Sequence, residues 1–185
     1  MSGDPEPPPD ARTVHTFAGC LYSLMLVGSV VWLWLRDRTD VLATTALGDH
    51  GLPVALGAGL LGGGLGAGAL TLASRRVTSL QTIEQRIATT LGPLGETSIL
   101  WLSVLGALAE EMFFRLAVQD LAGLTGSVAL YAAMNTGPGF WAWAPVALLS
   151  ALLFSGLVFG GCGLLAATTA HALINYFTLR RILPP

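Results

Sequence analysis

Hydrophobic residues follow one another in long runs along this chain, and charged residues lie mainly between those runs. Residues 13–35 contain no Asp, Glu or Arg, and a helix of this length crosses a hydrocarbon layer of about 30 Å. Trp32 and Trp34 end the run beside Arg36 and Arg38, a combination typical of a bilayer interface. The pattern therefore predicts a first membrane-spanning helix.

A second apolar run, at residues 51–74, is rich in glycine and contains small residues four apart, such as Gly59 and Gly63. This spacing lets two helices pack closely in a membrane. Residues 78–91 then place Leu and Ile at helical spacing until a Gly-Pro pair ends the pattern. We expect a second span, followed by a short amphipathic helix that lies along the membrane surface.

The second half of the chain predicts four more helices, because it is apolar and is interrupted twice by Gly and Pro. These helices cover residues 97–121, 127–135, 140–158 and 164–179. The expected fold is therefore all-α, a polytopic membrane bundle of about six transmembrane helices with one short amphipathic helix at the interface.

Three regions are expected along the 185 residues. Residues 1–12 contain four prolines and three acidic residues, which is typical of a disordered tail. Residues 13–90 hold two transmembrane helices and the amphipathic connector, and residues 91–185 form a core that contains the residues suited to chemistry.

The distribution of arginine predicts the orientation of the chain. Six spans put both termini on one side of the membrane, and that side collects most of the arginines. They are Arg12, Arg75, Arg76, Arg86, Arg180 and Arg181. By the positive-inside rule both termini face the cytoplasm.

The amino-acid composition indicates in which membrane the protein is expected. All nine basic residues are arginine, beside abundant Ala, Gly and Leu, which favours a bacterial protein and hence the bacterial inner membrane. The formal net charge of −2 gives no indication of a nucleic-acid partner. The expected surroundings are the lipid bilayer.

Three charged residues lie inside the third predicted span: Glu110, Glu111 and Arg115. Each costs about 2.5–3.5 kcal/mol at the centre of a membrane helix. Glu111 and Arg115 are four apart and share a helix face, whereas Glu110 points about 100° away. We interpret Glu111 and Arg115 as a structural ion pair and Glu110 as a carboxylate in a cavity. The alternative is a buried triad that only sets the position of the helix.

The last predicted span carries His171 and Asn175, also four apart on one face. A carboxylate can take a proton from water, an imidazole can transfer protons or bind a metal, and an amide can donate to an oxyanion. With Glu110, these two residues supply the groups that peptide hydrolysis needs.

The run from Glu110 to Arg115 resembles the EExxxR motif of the CPBP (CAAX protease and bacteriocin-processing) family, and His171 to Asn175 resembles its HxxxN motif. The resemblance implies helices around a water-accessible cavity and an endopeptidase that acts on a membrane-bound or lipidated peptide. It implies that Glu110 activates water, and that His171 and Asn175 bind a metal or stabilise the oxyanion. A divalent metal such as zinc, held by Glu110 and His171, is the cofactor it suggests.

The chain departs from the family at one position. The family's FxxxH motif corresponds best to Tyr131 through Asn135, so an asparagine replaces the expected histidine. An amide neither titrates near neutral pH nor equals imidazole as a zinc ligand. Asn135 could therefore orient a water molecule but could not act as its base.

Three functional hypotheses remain open from the sequence. The first is an intramembrane endopeptidase in which Glu110 acts as the base and Asn135 positions water. The second is a catalytically degenerate relative that acts as a membrane binding or immunity protein. The third, a small transporter or assembly subunit, is disfavoured because no inverted repeat is evident.

Overall fold

The computed structural model describes residues 10–137 and 139–183, and within them it is helical without β-strands. The predicted all-α fold is confirmed for these residues. The helices are α1 (Ala11–Leu35), α2 (Asp40–Ala46), α3 (Gly51–Arg76), α4 (Thr78–Leu91), α5 (Glu96–Glu111), α6 (Gln119–Met134), α7 (Ala144–Leu157) and α8 (Gly163–Ile182). Two π-helical turns, Met112–Val118 and Val158–Cys162, join α5 to α6 and α7 to α8.

Three helical segments in the described part of the chain are long and apolar enough to cross a membrane: Ala11–Leu35, Gly51–Arg76 and Trp141–Ile182. The third has 42 residues, which at 1.5 Å per residue would be roughly twice the hydrocarbon thickness. Its backbone breaks at Gly161 and Gly163, where φ is positive, and α7 packs against α8 across that break. Three apolar segments of this kind are consistent with a membrane protein.

Helix α1 begins earlier than the tail prediction allowed. Asp10 is its N-cap, with Oδ1 accepting a hydrogen bond from the Thr13 backbone N–H at 2.7 Å, so residues 10–12 belong to the helix and its cap. Hydrogen bonds from the Thr13 side chain and backbone lower the pKa of the exposed Asp10 carboxyl. The rest of the predicted tail, residues 1–9, lies outside the described residues.

Helices α3 and α8 pack closely because glycines on α3 leave room for the α8 backbone. Gly59 lies against Thr169, Gly63 against Ala170, and Gly66 against Ile174. The residue numbers rise together on both helices, so α3 and α8 run in the same direction. The prediction that the glycines of the second span serve close packing agrees with these contacts.

Helix α1 packs along α5 in the same parallel way. Gly19 lies near the Trp101 ring, and Tyr22 lies against Gly106 one turn further along both helices. At the end of α1 and just after it, Trp32 Nε1 and Arg38 Nη1 donate hydrogen bonds to the Asp120 carboxylate at 3.3 and 3.0 Å. These contacts join the first helix to the segment that carries the glutamates.

Helix α4 forms where the amphipathic pattern predicts it, and it buries Leu80 and Ile83. Its Glu84 is also buried, and it accepts two hydrogen bonds from Arg181 at the end of α8, at 2.6 and 2.9 Å. Ser74 at the end of α3 donates to the same carboxylate at 2.5 Å. One carboxylate thereby joins the ends of three helices.

The third predicted span is interrupted by a feature that the sequence did not predict. The α-helix ends at Glu111, and the chain continues through the π-helical turn Met112–Val118 into α6. Gly123 then breaks α6 with φ 68° and ψ −179°. The predicted helix at residues 127–135 is therefore the second part of α6, and Asn135 is its C-cap.

Adding a methyl group at Gly63 should weaken the contact between α3 and α8. A Cβ there would lie 2.9 Å from Ala170 backbone atoms, so we expect Gly63→Ala to cost about 1–3 kcal/mol of stability. Gly57 on the same helix has open space at its Cβ position, and Gly57→Ala should be neutral or slightly stabilising. Thermal unfolding in detergent measures both; equal unfolding temperatures would contradict the packing described here.

Candidate active site

Glu111 and Arg115 form the ion pair that their spacing predicts. Arg115 Nε donates to Glu111 Oε2 at 2.9 Å, and both side chains are fully buried. Because Arg115 lies in the π-helical turn directly after α5, the pair bridges the point where the helix changes its hydrogen-bonding pattern. π-Turns of this kind are frequent at functional sites.

Ser127 on α6 extends this ion pair into a network. Arg115 Nη1 donates to Ser127 Oγ at 3.1 Å, and that hydroxyl donates to the Phe114 carbonyl at 2.6 Å. Arg115 Nη2 has no hydrogen-bond partner within the described ranges, but the guanidinium lies 5.3 Å from the centre of the Tyr131 ring, a cation–π contact. The network holds α6 against the π-helical turn.

Glu111 also orients His171. Nδ1 of His171 lies 2.8 Å from Glu111 Oε1. A carboxylate paired with arginine is only an acceptor, so Nδ1 carries the proton that is donated. In a neutral ring, Nε2 is then an acceptor. Phe154 stacks on the imidazole with ring centres 4.6 Å apart and planes at 13°, which fixes the rotation of the ring.

Glu110 differs from Glu111 in having no comparable partner. Its side chain is 20% exposed where that of Glu111 is fully buried. Oε2 is covered and has no hydrogen-bond partner in the described part of the chain, and it lies 4.0 Å from His171 Nε2, too far for a hydrogen bond. Glu110 lines a cavity, so its carboxylate can contact a molecule bound there.

The structure brings Glu110, Asn135, His171 and Asn175 to one cavity of about 560 Å³. Most of its remaining wall is apolar and comes from α1, α4, α7 and α8. These four polar residues thus share a cavity whose wall is mostly apolar. This convergence is what the hypothesis of a single site requires of these four residues.

The two asparagines are in different hydrogen-bonding states. Asn135 Nδ2 donates to the Tyr131 carbonyl at 3.0 Å, within its own helix end. The Asn175 side chain lines the cavity and has no hydrogen bond to any residue that the structure describes. The Asn175 amide is therefore the group whose N–H donors remain available to a bound molecule.

The donor atoms around the cavity do not make a zinc site of the usual kind. Catalytic zinc sites use three protein ligands from His, Cys, Asp or Glu, and no such group of three is found among the described residues. Glu110 and His171 supply two, and the third side chain beside them is the Asn135 amide, a weak zinc ligand. Among the described residues, the side chains around the cavity therefore supply fewer strong ligands than a catalytic zinc ion uses.

Three residues around the site were not predicted from the sequence as site residues: Ser127, Tyr131 and Phe154. Ser127 and Phe154 are ordinary residues of apolar spans, and no spacing connects them to Glu111 or His171. Tyr131 is part of the prediction only as the first residue of the segment that corresponds to the FxxxH motif. Its ring is edge-on to His171, with centres 6.1 Å apart, and it lines the cavity.

Comparison of the chain with models of known protein families, with curated proteins and with solved structures finds no match in any of the three. The resemblance to the CPBP family therefore depends on the two motifs alone.

The two adjacent glutamates should differ in their effect on stability. Glu111→Gln leaves Arg115 buried without its counter-charge, and we expect a loss of about 3–5 kcal/mol. Glu110→Gln removes a carboxylate that has no arginine partner among the described residues, so the change should be under about 1 kcal/mol. Unfolding temperatures in detergent provide the measurement, and a larger loss for Glu110→Gln than for Glu111→Gln would contradict the division of roles.

Proposed function

We propose that this protein is an intramembrane endopeptidase that hydrolyses a peptide bond in a membrane-bound or lipidated peptide. The observation that carries the proposal is the cavity, which is lined by a carboxylate, an imidazole and an amide. These groups belong to Glu110, His171 and Asn175. The resemblance to the CPBP motifs points in the same direction.

In the proposed reaction, Glu110 Oε1 takes a proton from water while the water oxygen attacks the carbonyl carbon of the peptide bond. The carbonyl oxygen becomes an oxyanion, and Asn175 Nδ2 donates a hydrogen bond to it. The carbon–nitrogen bond then breaks, and Glu110 returns the proton to the departing nitrogen. The products are a carboxylic acid and an amine.

His171 positions the water in this mechanism. With its Nδ1 proton donated to Glu111, the neutral ring accepts at Nε2 and can hold the second hydrogen of the attacking water. This role differs from the oxyanion stabilisation expected from the sequence. Arg115 and Glu111 act through His171, because they fix its tautomer and its orientation. Asn135 adds a polar group beside the water.

We further propose six membrane crossings with both termini in the cytoplasm of a bacterial cell. The crossings are α1, α3, α5 with its π-helical turn, α6, α7 and α8. Alternating crossings require the first and third helices to be parallel, and likewise the second and sixth. The parallel packing of α1 with α5 and of α3 with α8 supports this topology.

A second candidate function is a membrane binding or immunity protein that holds a peptide without cutting it. The specific observation in its favour is Asn135, which provides neither a base nor a good metal ligand and whose Nδ2 is bonded to its own helix. In this alternative the cavity binds a peptide segment, and Glu110 contributes polarity only.

Comparing newly formed protein termini in the membranes of cells tests the proposal. Termini produced by the wild-type chain should disappear with Glu110→Gln, because an amide cannot accept the proton of water. They should persist with Glu96→Gln, a control that alters an exposed carboxylate outside the cavity. If Glu110→Gln leaves every terminus in place, Glu110 is not the base; new termini that appear only with Asn135→His would favour the binding protein.

Zinc binding tests the interpretation of position 135. The wild-type cavity offers two strong ligands, so it should retain no stoichiometric zinc after dialysis, whereas Asn135→His supplies a third and should retain about one zinc ion per chain. Elemental analysis of the dialysed proteins measures the difference. One zinc ion per wild-type chain, lost on Glu110→Gln, would contradict the metal-free mechanism.

A further inference from the structure

A second concave surface lies between α3 and α8, outside the candidate active site. It is a groove of about 690 Å³, and its lining shares no residue with the cavity around Glu110. One wall is the face of α3 that carries Gly64, Gly68, Leu72 and Arg75, and the opposite wall includes Phe177 of α8. The groove is therefore open at the surface of two membrane-spanning segments.

The length of the α3 wall matches that of one lipid acyl chain. Gly64 and Gly68 have open space where a Cβ would be placed, which leaves a channel along the helix. From Gly64 to Arg75 the helix advances roughly 16 Å at 1.5 Å per residue, close to half of the hydrocarbon thickness of about 30 Å. Leu72 and Phe177 are exposed by 58% and 46%, so the walls present apolar surface to an occupant.

The end of the groove is positively charged. Three arginines line it there: Arg75, Arg180 and Arg181. Arg181 is neutralised by Glu84 at 2.6 Å, whereas Arg180 lies 3.7 Å from an exposed Glu96, a weak pair in water. Arg75 has no ion-pair partner in the part of the chain that the structure describes. The groove thus combines an apolar channel one leaflet deep with a surplus of positive charge at its mouth.

We propose that this groove binds one anionic phospholipid, with an acyl chain along Gly64 and Gly68 and the phosphate beside Arg75 and Arg180. Basic pockets between membrane helices bind acidic lipid headgroups, and here the apolar channel ends at arginines in the last turns of α3 and α8. The lipid would cover the outer edge of the interface between α3 and α8. The proposal does not depend on the protease activity.

Native mass spectrometry of the purified chain, with phosphatidylglycerol or phosphatidylcholine added, tests the proposal. Phosphatidylglycerol should bind at least about fivefold more tightly, since each arginine near a headgroup contributes about a fivefold change in affinity. Arg75→Gln should weaken its binding about fivefold. Gly68→Leu fills the channel and should weaken the binding of both lipids.

Two variants serve as matched controls. Arg76→Gln changes the adjacent arginine and Gly57→Leu enlarges another open glycine of α3, and neither residue lines the groove; both should bind phosphatidylglycerol like the wild type. Equal binding of the two lipids would overturn the proposal, as would full competition by inorganic phosphate. A Gly68→Leu variant that loses a dimer while keeping its lipid would instead identify the groove as a contact between two copies of the chain.

Discussion

The buried carboxylate of Glu111 is the constraint on which the arrangement of the site depends. An ion in the apolar interior of a bundle costs several kcal/mol unless it is paired and hydrogen-bonded. Glu111 meets this requirement with Arg115 on one oxygen and His171 on the other. Because these partners lie on the π-helical turn and on α8, satisfying one carboxylate positions three segments of the chain. Ser127 brings α6 into the same network.

The neighbouring Glu110 derives its chemical character from this arrangement. Successive residues of a helix point about 100° apart, so the residue before a satisfied carboxylate faces a different part of the bundle. Arg115 and Nδ1 of His171 are bonded to Glu111. Glu110 lines the cavity, and its Oε2 has no hydrogen-bond partner among the described residues. Glu111 thus fixes the imidazole of His171, and the adjacent residue places a second carboxylate on the cavity. This combination is the physical basis of the proposed hydrolysis.

Patterns along the sequence predicted most of the helices. They did not predict which residues far apart in the sequence contact each other. A Gly-Pro pair marks the C-terminal end of α4, and glycines mark the break after α7. The spacing of Glu111 and Arg115 predicts their ion pair. The contact of Glu111 with His171 depends on how two helices are rotated about their axes, which spacing within either helix does not determine. The π-helical turn and the stacking of Phe154 on His171 depend on the same packing. The glycines of the apolar second half predicted its division into separate crossings. In the described residues, three segments are established as candidates for spanning the membrane.

Hydrolysis in water enriched with heavy oxygen tests the central claim most directly. The wild-type chain and Glu110→Gln, each reconstituted in lipid with a library of membrane peptides, would be followed by mass spectrometry of the products. We predict that the wild type produces new carboxyl termini that each carry one heavy oxygen atom from water, and that Glu110→Gln produces none. Absence of labelled termini with the wild type, or equal labelling with Glu110→Gln, would contradict the assignment of Glu110 as the base that activates water.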